Sequence, residues 1–219
     1  MPHSSAELVI FDCDGVLVDS EPIAARMTAE NVRELGLPMT PEQAKAEFLG
    51  DTFANIIRTL EQRLGRPVPQ DWPERCQARL FEAFRRELKS VPGAKRTVEH
   101  LLELGLKVAV GSQGAPEKMH VTLSVTGLLP YFEGRVFSAA TVARPKPAPD
   151  LFLHIASALG VAPERAVVVE DSTRGVQAAK AAGMRVFGYT GTLGAAPLAA
   201  AGAETIDDLM LIPQLLPVP

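Results

Sequence analysis

Leu8-Val9-Ile10-Phe11 is apolar throughout and stops at once in Asp12-Cys13-Asp14-Gly15. A strand with one face in water alternates polar and apolar residues. A run without alternation fits a strand covered on both faces. From Gly93 onward the same kind of run recurs, each time after a helical pattern. A helix over 94–104 precedes a strand over 106–110, and one over 115–125 precedes a strand over 135–138. Helices over 149–159 and 174–182 precede strands over 166–169 and 184–188. That alternation predicts an α/β domain with a parallel sheet, and the first run must join it. The Ala- and Pro-rich stretch from Gly191 reads as a turn, a short edge strand and a terminal helix starting near Asp207.

Between roughly Pro22 and Lys89 the pattern is helical with no clear strand. Residues 24–35 are helix-permissive and end at Gly36, with Pro38 beyond. Thr40-Pro41 reads as an N-cap followed by Pro at the first helical position. Residues 51–64 place Phe53, Ile56, Ile57, Leu60 and Leu64 on one helical face and close at Gly65. Residues 72–88 form another amphipathic helix, with Trp72 as a candidate for the core of this segment. Phe48, Leu49 and Phe53 are candidates either for pocket lining or for helix packing. The helical segment is therefore an insertion after the first strand, with hinges expected at 18–22 and 90–93.

Composition narrows the function classes. The 219 residues are 47% hydrophobic and 22% charged, which suits a folded chain with a full core. The net charge of −4, without a basic block, argues against nucleic-acid partners. No stretch approaches the about 20 apolar residues of a membrane span, and the first residues resemble no secretory signal. Cys13 and Cys76 are too few and too far apart for a disulfide framework or a zinc site. A cytoplasmic setting and a monomer are expected.

Four polar clusters follow the strands of the α/β part. They are Asp12-Cys13-Asp14-Gly15, Ser112-Gln113-Gly114, Lys146 within Arg144-Pro145-Lys146-Pro147, and Glu170-Asp171-Ser172. Open parallel sheets bind ligands outside the carboxyl ends of their strands, so the clusters can share one crevice. Asp12, Glu170 and Asp171 would bring three carboxylates together, and a cation would relieve their repulsion. Oxygen-only ligands favour Mg²⁺. Lys146 and the Ser112 hydroxyl suit a phosphate dianion. A carboxylate beside Mg²⁺ can attack phosphorus and form an aspartyl-phosphate, and Asp14 is placed to protonate the leaving alcohol and later activate water. Taken singly, each cluster also has a structural reading. Asp-x-Asp-Gly is a common turn, Lys146 suits a loop between prolines, and Ser112 and Asp171-Ser172 could cap the helices that follow. Cys13 is read as a packing residue.

These residues resemble the motifs of the haloacid dehalogenase-like hydrolase superfamily. Residues 11–21 are similar to its first motif, Gly111-Ser112-Gln113-Gly114 to the second, residues 144–150 to the third and residues 168–175 to the fourth. A helical insertion after the first motif resembles the β-phosphoglucomutase and phosphoglycolate phosphatase-like branch. The resemblance implies α/β architecture: a Rossmann-like three-layer core with a parallel sheet, residues 1–19 and 91–219, plus an inserted all-α cap domain, residues 20–90. It implies Asp12 as nucleophile and Mg²⁺ ligand, and Asp14 as general acid/base and, through its carbonyl, metal ligand. Ser112 and the amide of Gln113 would bind the phosphoryl group, Lys146 would neutralise it, and Glu170 and Asp171 would complete the metal site directly or through water. The turn from Gly15 to Asp19 would couple substrate entry to cap closure.

The departures from the family pattern are informative. Dehalogenase members lack the second Asp of the first motif and phosphonate-cleaving members typically replace it, so Asp14 argues for phosphomonoester chemistry. β-Phosphoglucomutases carry a His where this chain has Ala24, and basic residues where it has Leu49-Gly50-Asp51-Thr52-Phe53. The expected function is thus Mg²⁺-dependent hydrolysis of a small phosphorylated metabolite, a sugar phosphate or sugar-acid phosphate. A β-phosphoglucomutase-type phosphotransferase is the alternative. Phosphoacceptor signalling domains combine similar groups but are much shorter and lack the insertion.

Overall fold

A computed structural model describes residues 5–48 and 53–216. The elements run β1 (Leu8–Phe11), α1 (Glu21–Glu34), α2 (Pro41–Phe48), α3 (Phe53–Leu64), α4 (Trp72–Glu87), α5 (Ala94–Glu103), β2 (Lys107–Ser112) and α6 (Pro116–Val125). They continue β3 (Val136–Ser138), α7 (Asp150–Ala158), β4 (Ala166–Glu170), α8 (Thr173–Ala181), β5 (Arg185–Tyr189), α9 (Ala195–Ala200), β6 (Glu204–Ile206) and α10 (Ile212–Leu215). The chain divides into two compact units, Met1–Asp19 with Lys89–Pro219, and Ser20–Leu88. No helix among the described residues is long and apolar enough to cross a membrane.

The first unit is a six-stranded sheet in the order β3-β2-β1-β4-β5-β6, with every pairing parallel. All four residues of β1 are fully buried, as its unbroken apolar run requires. Leu8 and Ile10 share a cluster with Leu151, Phe152 and Ile155 of α7 and with Val176 and Ala179 of α8. The ring of Phe11 meets Phe132 edge-on at 6.3 Å. This is the α/β arrangement with a parallel sheet expected from the alternation of runs, and the Rossmann-like core that the family resemblance implies. Parallel pairing also directs every carboxyl end to one edge. Phe11 lies beside both Val110 and Val169, so Asp12, Gly111 and Glu170 come next at the same level.

Two segments depart from the sequence expectation. Residues 195–200, read as part of a turn, form helix α9, with Pro197 tolerated because it falls in the first turn. The terminal helix starts later than Asp207: a 3-10 turn over Leu209–Leu211 comes first, and Asp208 caps it by accepting from Met210 N. Helix α1 begins before Ala24, at Glu21, because Pro22 sits in its first turn, where a fixed φ suits the helix.

The second unit is built from α1 to α4. The Thr40–Gln43 pair starts α2 as a capping box. Gln43 N donates to Thr40 Oγ1 at 3.2 Å, and Thr40 N donates to Gln43 Oε1 at 2.8 Å. Val32, Met39, Phe48, Ile56, Leu60, Trp72 and Cys76 form its core. Phe48 is therefore a packing residue. Phe53 is 43% exposed and stacks on Trp72 at 5.9 Å. Leu49 and residues 50–52 lie outside the described residues. Leu60 is completely buried in this core. Leu60→Ala is expected to lower the unfolding free energy by about 2–5 kcal/mol in urea titrations. A loss below about 1 kcal/mol would show that this core collapses around the deletion.

Candidate active site

Lys146 is the centre of the carboxyl edge. Its loop follows β3, and its ammonium is buried at 2% exposure. Nζ donates to Asp12 Oδ1 at 2.6 Å, to Glu170 Oε1 at 2.5 Å and to the Gly111 carbonyl at 2.9 Å. The ring of Phe152 lies 5.0 Å from it. One side chain thus ties together β1, β2 and β4. Burial works against the ammonium, but the carboxylates of Asp12 and Glu170 outweigh it and hold Lys146 above its ordinary value. Burial pushes Asp12 the other way, up to about 7. Lys146 opposes that rise, while the negative charges of Glu170 and Asp14 add to it.

Glu170 faces inward with both oxygens engaged. Oε1 accepts from Lys146, and Oε2 accepts from the Asp171 and Ser172 amides, both at 3.1 Å, and from Ser172 Oγ at 2.8 Å. Ser172 also caps α8 by accepting from Gly175 N at 3.0 Å. The capping reading of Asp171-Ser172 therefore holds for Ser172. Gly175 is required by contact: a Cβ there would stand 1.8 Å from Glu170 Cδ. The sequence reading gathered Asp12, Glu170 and Asp171 around one cation. The structure places an ammonium between Asp12 and Glu170. Among the described residues, no group of three or more His, Cys, Asp and Glu side chains is arranged to hold a metal ion.

The first cluster leaves β1 in a tight turn. Leu17 N and Val18 N both donate to the Cys13 carbonyl, at 2.9 and 3.1 Å, and Gly15 N donates to Val18 O at 2.9 Å. Gly15 adopts φ of +77°, a conformation L residues avoid. A Cβ at this position would lie 2.0 Å from Asp171 Oδ2. Asp171, buried after β4, thus rests its carboxylate directly on the turn that carries Asp12 and Asp14. Cys13 is fully buried, with Sγ 3.8 Å from Thr122 Oγ1. Burial, reinforced by the neighbouring Asp14 and Asp12, drives its thiol well above the ordinary value, so it stays protonated. Packing is its role, as expected.

Ser112 ends β2 and is buried. It does not cap α6, whose N-cap is Ala115; its Oγ accepts instead from Gly114 N at 3.2 Å. Gln113 is exposed on the same turn. Two side chains that the sequence reading did not single out join this region. Ser138 Oγ donates to the Gly114 carbonyl at 2.7 Å, fixing the turn from β3. Lys118 Nζ donates to Asp14 Oδ2 at 2.8 Å. Lys118 is the third residue of α6, and no local pattern marks a contact across more than a hundred positions. A lysine in the first turn of the helix after Ser112 is the available signal.

A strand-end Asp held by a buried Lys, with a hydroxyl turn and a second acidic strand end beside it, is phosphoryl-transfer chemistry in layout. Comparison with known proteins agrees. The pattern of the haloacid dehalogenase-like hydrolase family matches residues 9–189. The chain belongs to that family. This haloacid dehalogenase-like hydrolase is 32% identical to the 6-phosphogluconate phosphatase of Escherichia coli (strain K12), over 97% of this chain and 95% of that one. It is 30% identical to the phosphoglycolate phosphatase of Nitrosococcus oceani, over 84% of this chain and 85% of that one. A solved structure of a HAD family hydrolase from Deinococcus radiodurans R1, with bound phosphate and sodium, is 31% identical. Its TM-score is 0.78, covering 98% of this chain and 99% of that one. The protein is a phosphomonoester hydrolase of the haloacid dehalogenase-like type.

Gly175→Ala tests the Glu170 cradle. The methyl must displace the Glu170 carboxylate and with it Lys146. A shift of about 1 Å in such a group costs on the order of 100-fold in rate. Phosphate release is expected to fall by about that factor. Activity within threefold of the wild type would show that Glu170 does not fix Lys146.

Proposed function

We propose that this protein is a Mg²⁺-dependent phosphatase of a small phosphorylated metabolite, a sugar phosphate or sugar-acid phosphate, acting through a phosphoryl-Asp12 intermediate. The observation that carries the reading is the Lys146 ammonium on Asp12 Oδ1. It leaves the other oxygen, Oδ2, for attack on phosphorus. As the Oδ2–phosphorus bond forms, the bond to the substrate's leaving oxygen breaks, and Asp14 gives that oxygen a proton. Asp14 then takes a proton from water, the water oxygen attacks the phosphoryl group, and phosphate leaves with Asp12 restored. Ser112 Oγ and the amide of Gln113 bind the phosphoryl oxygens, and Lys146 offsets their charge.

The residues present fit a hard dication. Asp171 against the Gly15 turn brings an oxygen donor to the segment of Asp12 and Asp14. Asp12 and Asp171 would hold the ion with the Asp14 carbonyl and water, which suits Mg²⁺, an ion that takes one or two carboxylates and keeps several waters. When bound, it supplies charge that draws the phosphoryl oxygens and Asp12 together. Glu170, with both oxygens committed, acts through Lys146 and through water. The substrate class rests on the relatives named for 6-phosphogluconate and phosphoglycolate, both phosphorylated acids.

The test is phosphate release from phosphogluconate, phosphoglycolate, sugar phosphates and nucleotides, with and without Mg²⁺. Turnover is expected only with the metal and is expected to be lost in Asp12→Asn. No release from any of them, by folded protein with Mg²⁺ bound, overturns the reading. Equilibration of glucose 1-phosphate with glucose 6-phosphate from a bisphosphate primer, without phosphate release, would instead support the mutase.

The raised Asp12 value predicts how Mg²⁺ binding follows pH. Without metal, the carboxyl keeps its proton below about 7 and loses it above. A metal takes the carboxylate, so proton and Mg²⁺ compete. The thermal shift produced by Mg²⁺ is expected to grow between pH 6 and 8 and to flatten above. In Asp12→Asn the growth with pH disappears. A wild-type shift that falls as pH rises would contradict this.

A further inference from the structure

Asp12 and Asp14 are two residues apart yet held by different lysines. Lys146 is wholly buried on Asp12, whereas the Lys118–Asp14 pair is partly open, with side chains 26% and 24% exposed. The Asp14 carboxylate does not swing free of the sheet edge. Measured from the Cβ that Gly114 lacks, Asp14 Oδ2 is 3.7 Å away and Ser112 Oγ 3.6 Å away. The carboxylate therefore lies over the Ser112–Gly114 turn. Ser138 holds that turn from one side, and Lys118 holds the carboxylate from the first turn of α6.

We propose that Lys118 is a positioning residue. It fixes the Asp14 carboxyl over the Ser112–Gly114 turn, so that Asp14 meets the leaving oxygen of a phosphoryl group bound there. This inference rests on the phosphatase reading, with Asp14 as the acid. An acid side chain on a turn has free rotation about two bonds, and misplacement of a catalytic group by about 1 Å is costly. An ammonium anchored on a helix removes that freedom. Lys118 itself need not touch substrate.

The test compares substrates that differ in their need for a proton. In p-nitrophenyl phosphate the leaving phenolate departs unprotonated, whereas an alkyl phosphate needs the proton from Asp14. kcat/KM reports the step that transfers the phosphoryl group to Asp12. For Lys118→Met, kcat/KM on the best alkyl phosphate is expected to fall by about tenfold or more, a part of the roughly 100- to 10,000-fold that a positioned acid contributes. On p-nitrophenyl phosphate the fall is expected to stay below about threefold. Lys118→Arg is expected to recover most of the loss. Lys118→Gln keeps a hydrogen-bond donor without the charge and replaces Lys118→Met if that variant does not fold; the same substrate contrast is expected.

Equal losses on both substrates would overturn the proposal, because they would mean that Lys118 binds the phosphoryl group or supports the fold. So would unchanged activity on both, or a KM that rises only for carboxylate-bearing substrates, which would make Lys118 a substrate contact. No release from either compound by the wild-type chain with Mg²⁺ would overturn the phosphatase reading and take this inference with it. A wild type active on both compounds separates the two failures.

Discussion

Two buried carboxylates share one buried ammonium, and the rest of the site follows from that imbalance. Lys146 bonds Asp12 and Glu170 at 2.6 and 2.5 Å, all three at less than a tenth of full exposure. A buried ion without a partner costs several kcal/mol, so three strands and a loop must converge where these charges meet. One positive charge cannot neutralise two negative ones. Burial pushes the Asp12 carboxyl up to about 7, Lys146 opposes that rise, and the negative charges of Glu170 and Asp14 add to it. Glu170 has its second oxygen tied by two amides and a hydroxyl.

The parallel sheet makes that convergence possible. Neighbouring strands all end at one edge, and the register sets Asp12, Gly111 and Glu170 at one level. Lys146 then reaches all three through one atom, with the Gly111 carbonyl as its neutral partner. Close approach does the remaining work. Backbone without a side chain at Gly15 and Gly175 admits the Asp171 and Glu170 carboxylates to distances that a methyl group would forbid. The glycine of the first motif makes room for Asp171 of the fourth, so the two motifs form one packed unit.

Much of this was legible in the sequence because the signals are local. Unbroken apolar runs mark covered strands, and the polar residues that end them mark the edge where ligands bind. Asp12, Asp14, Ser112, Lys146, Glu170 and Asp171 could be named on that basis. What spacing does not carry is who pairs with whom. Grouping three acids around a cation was reasonable by charge, but Lys146 stands between two of them. Lys118 and Ser138 act across distant parts of the chain and carry no motif. Helix α9 escaped because Ala-Ala-Pro-Leu-Ala-Ala has little polar contrast, so periodicity had nothing to report. Its short length, with Pro in the first turn, also mimics a turn.

The two acids of the first motif are assigned two chemical roles in the proposed mechanism, and their surroundings differ accordingly. In the proposed mechanism Asp12 is the nucleophile, and the buried Lys146 pins one oxygen of its carboxylate. Asp14, the proposed acid, is held instead in a partly open pair with Lys118. Sequence position cannot separate these roles, since the residues flank a single cysteine. Cys13 contributes by turning into the core, where its contact with Thr122 ties the segment to α6, the helix that carries Lys118. The anchor of the turn and the partner of Asp14 thus come from one helix. Helix α6 holds Cys13 and Asp14 while Lys146 holds Asp12, so two distant parts of the chain fix three consecutive residues.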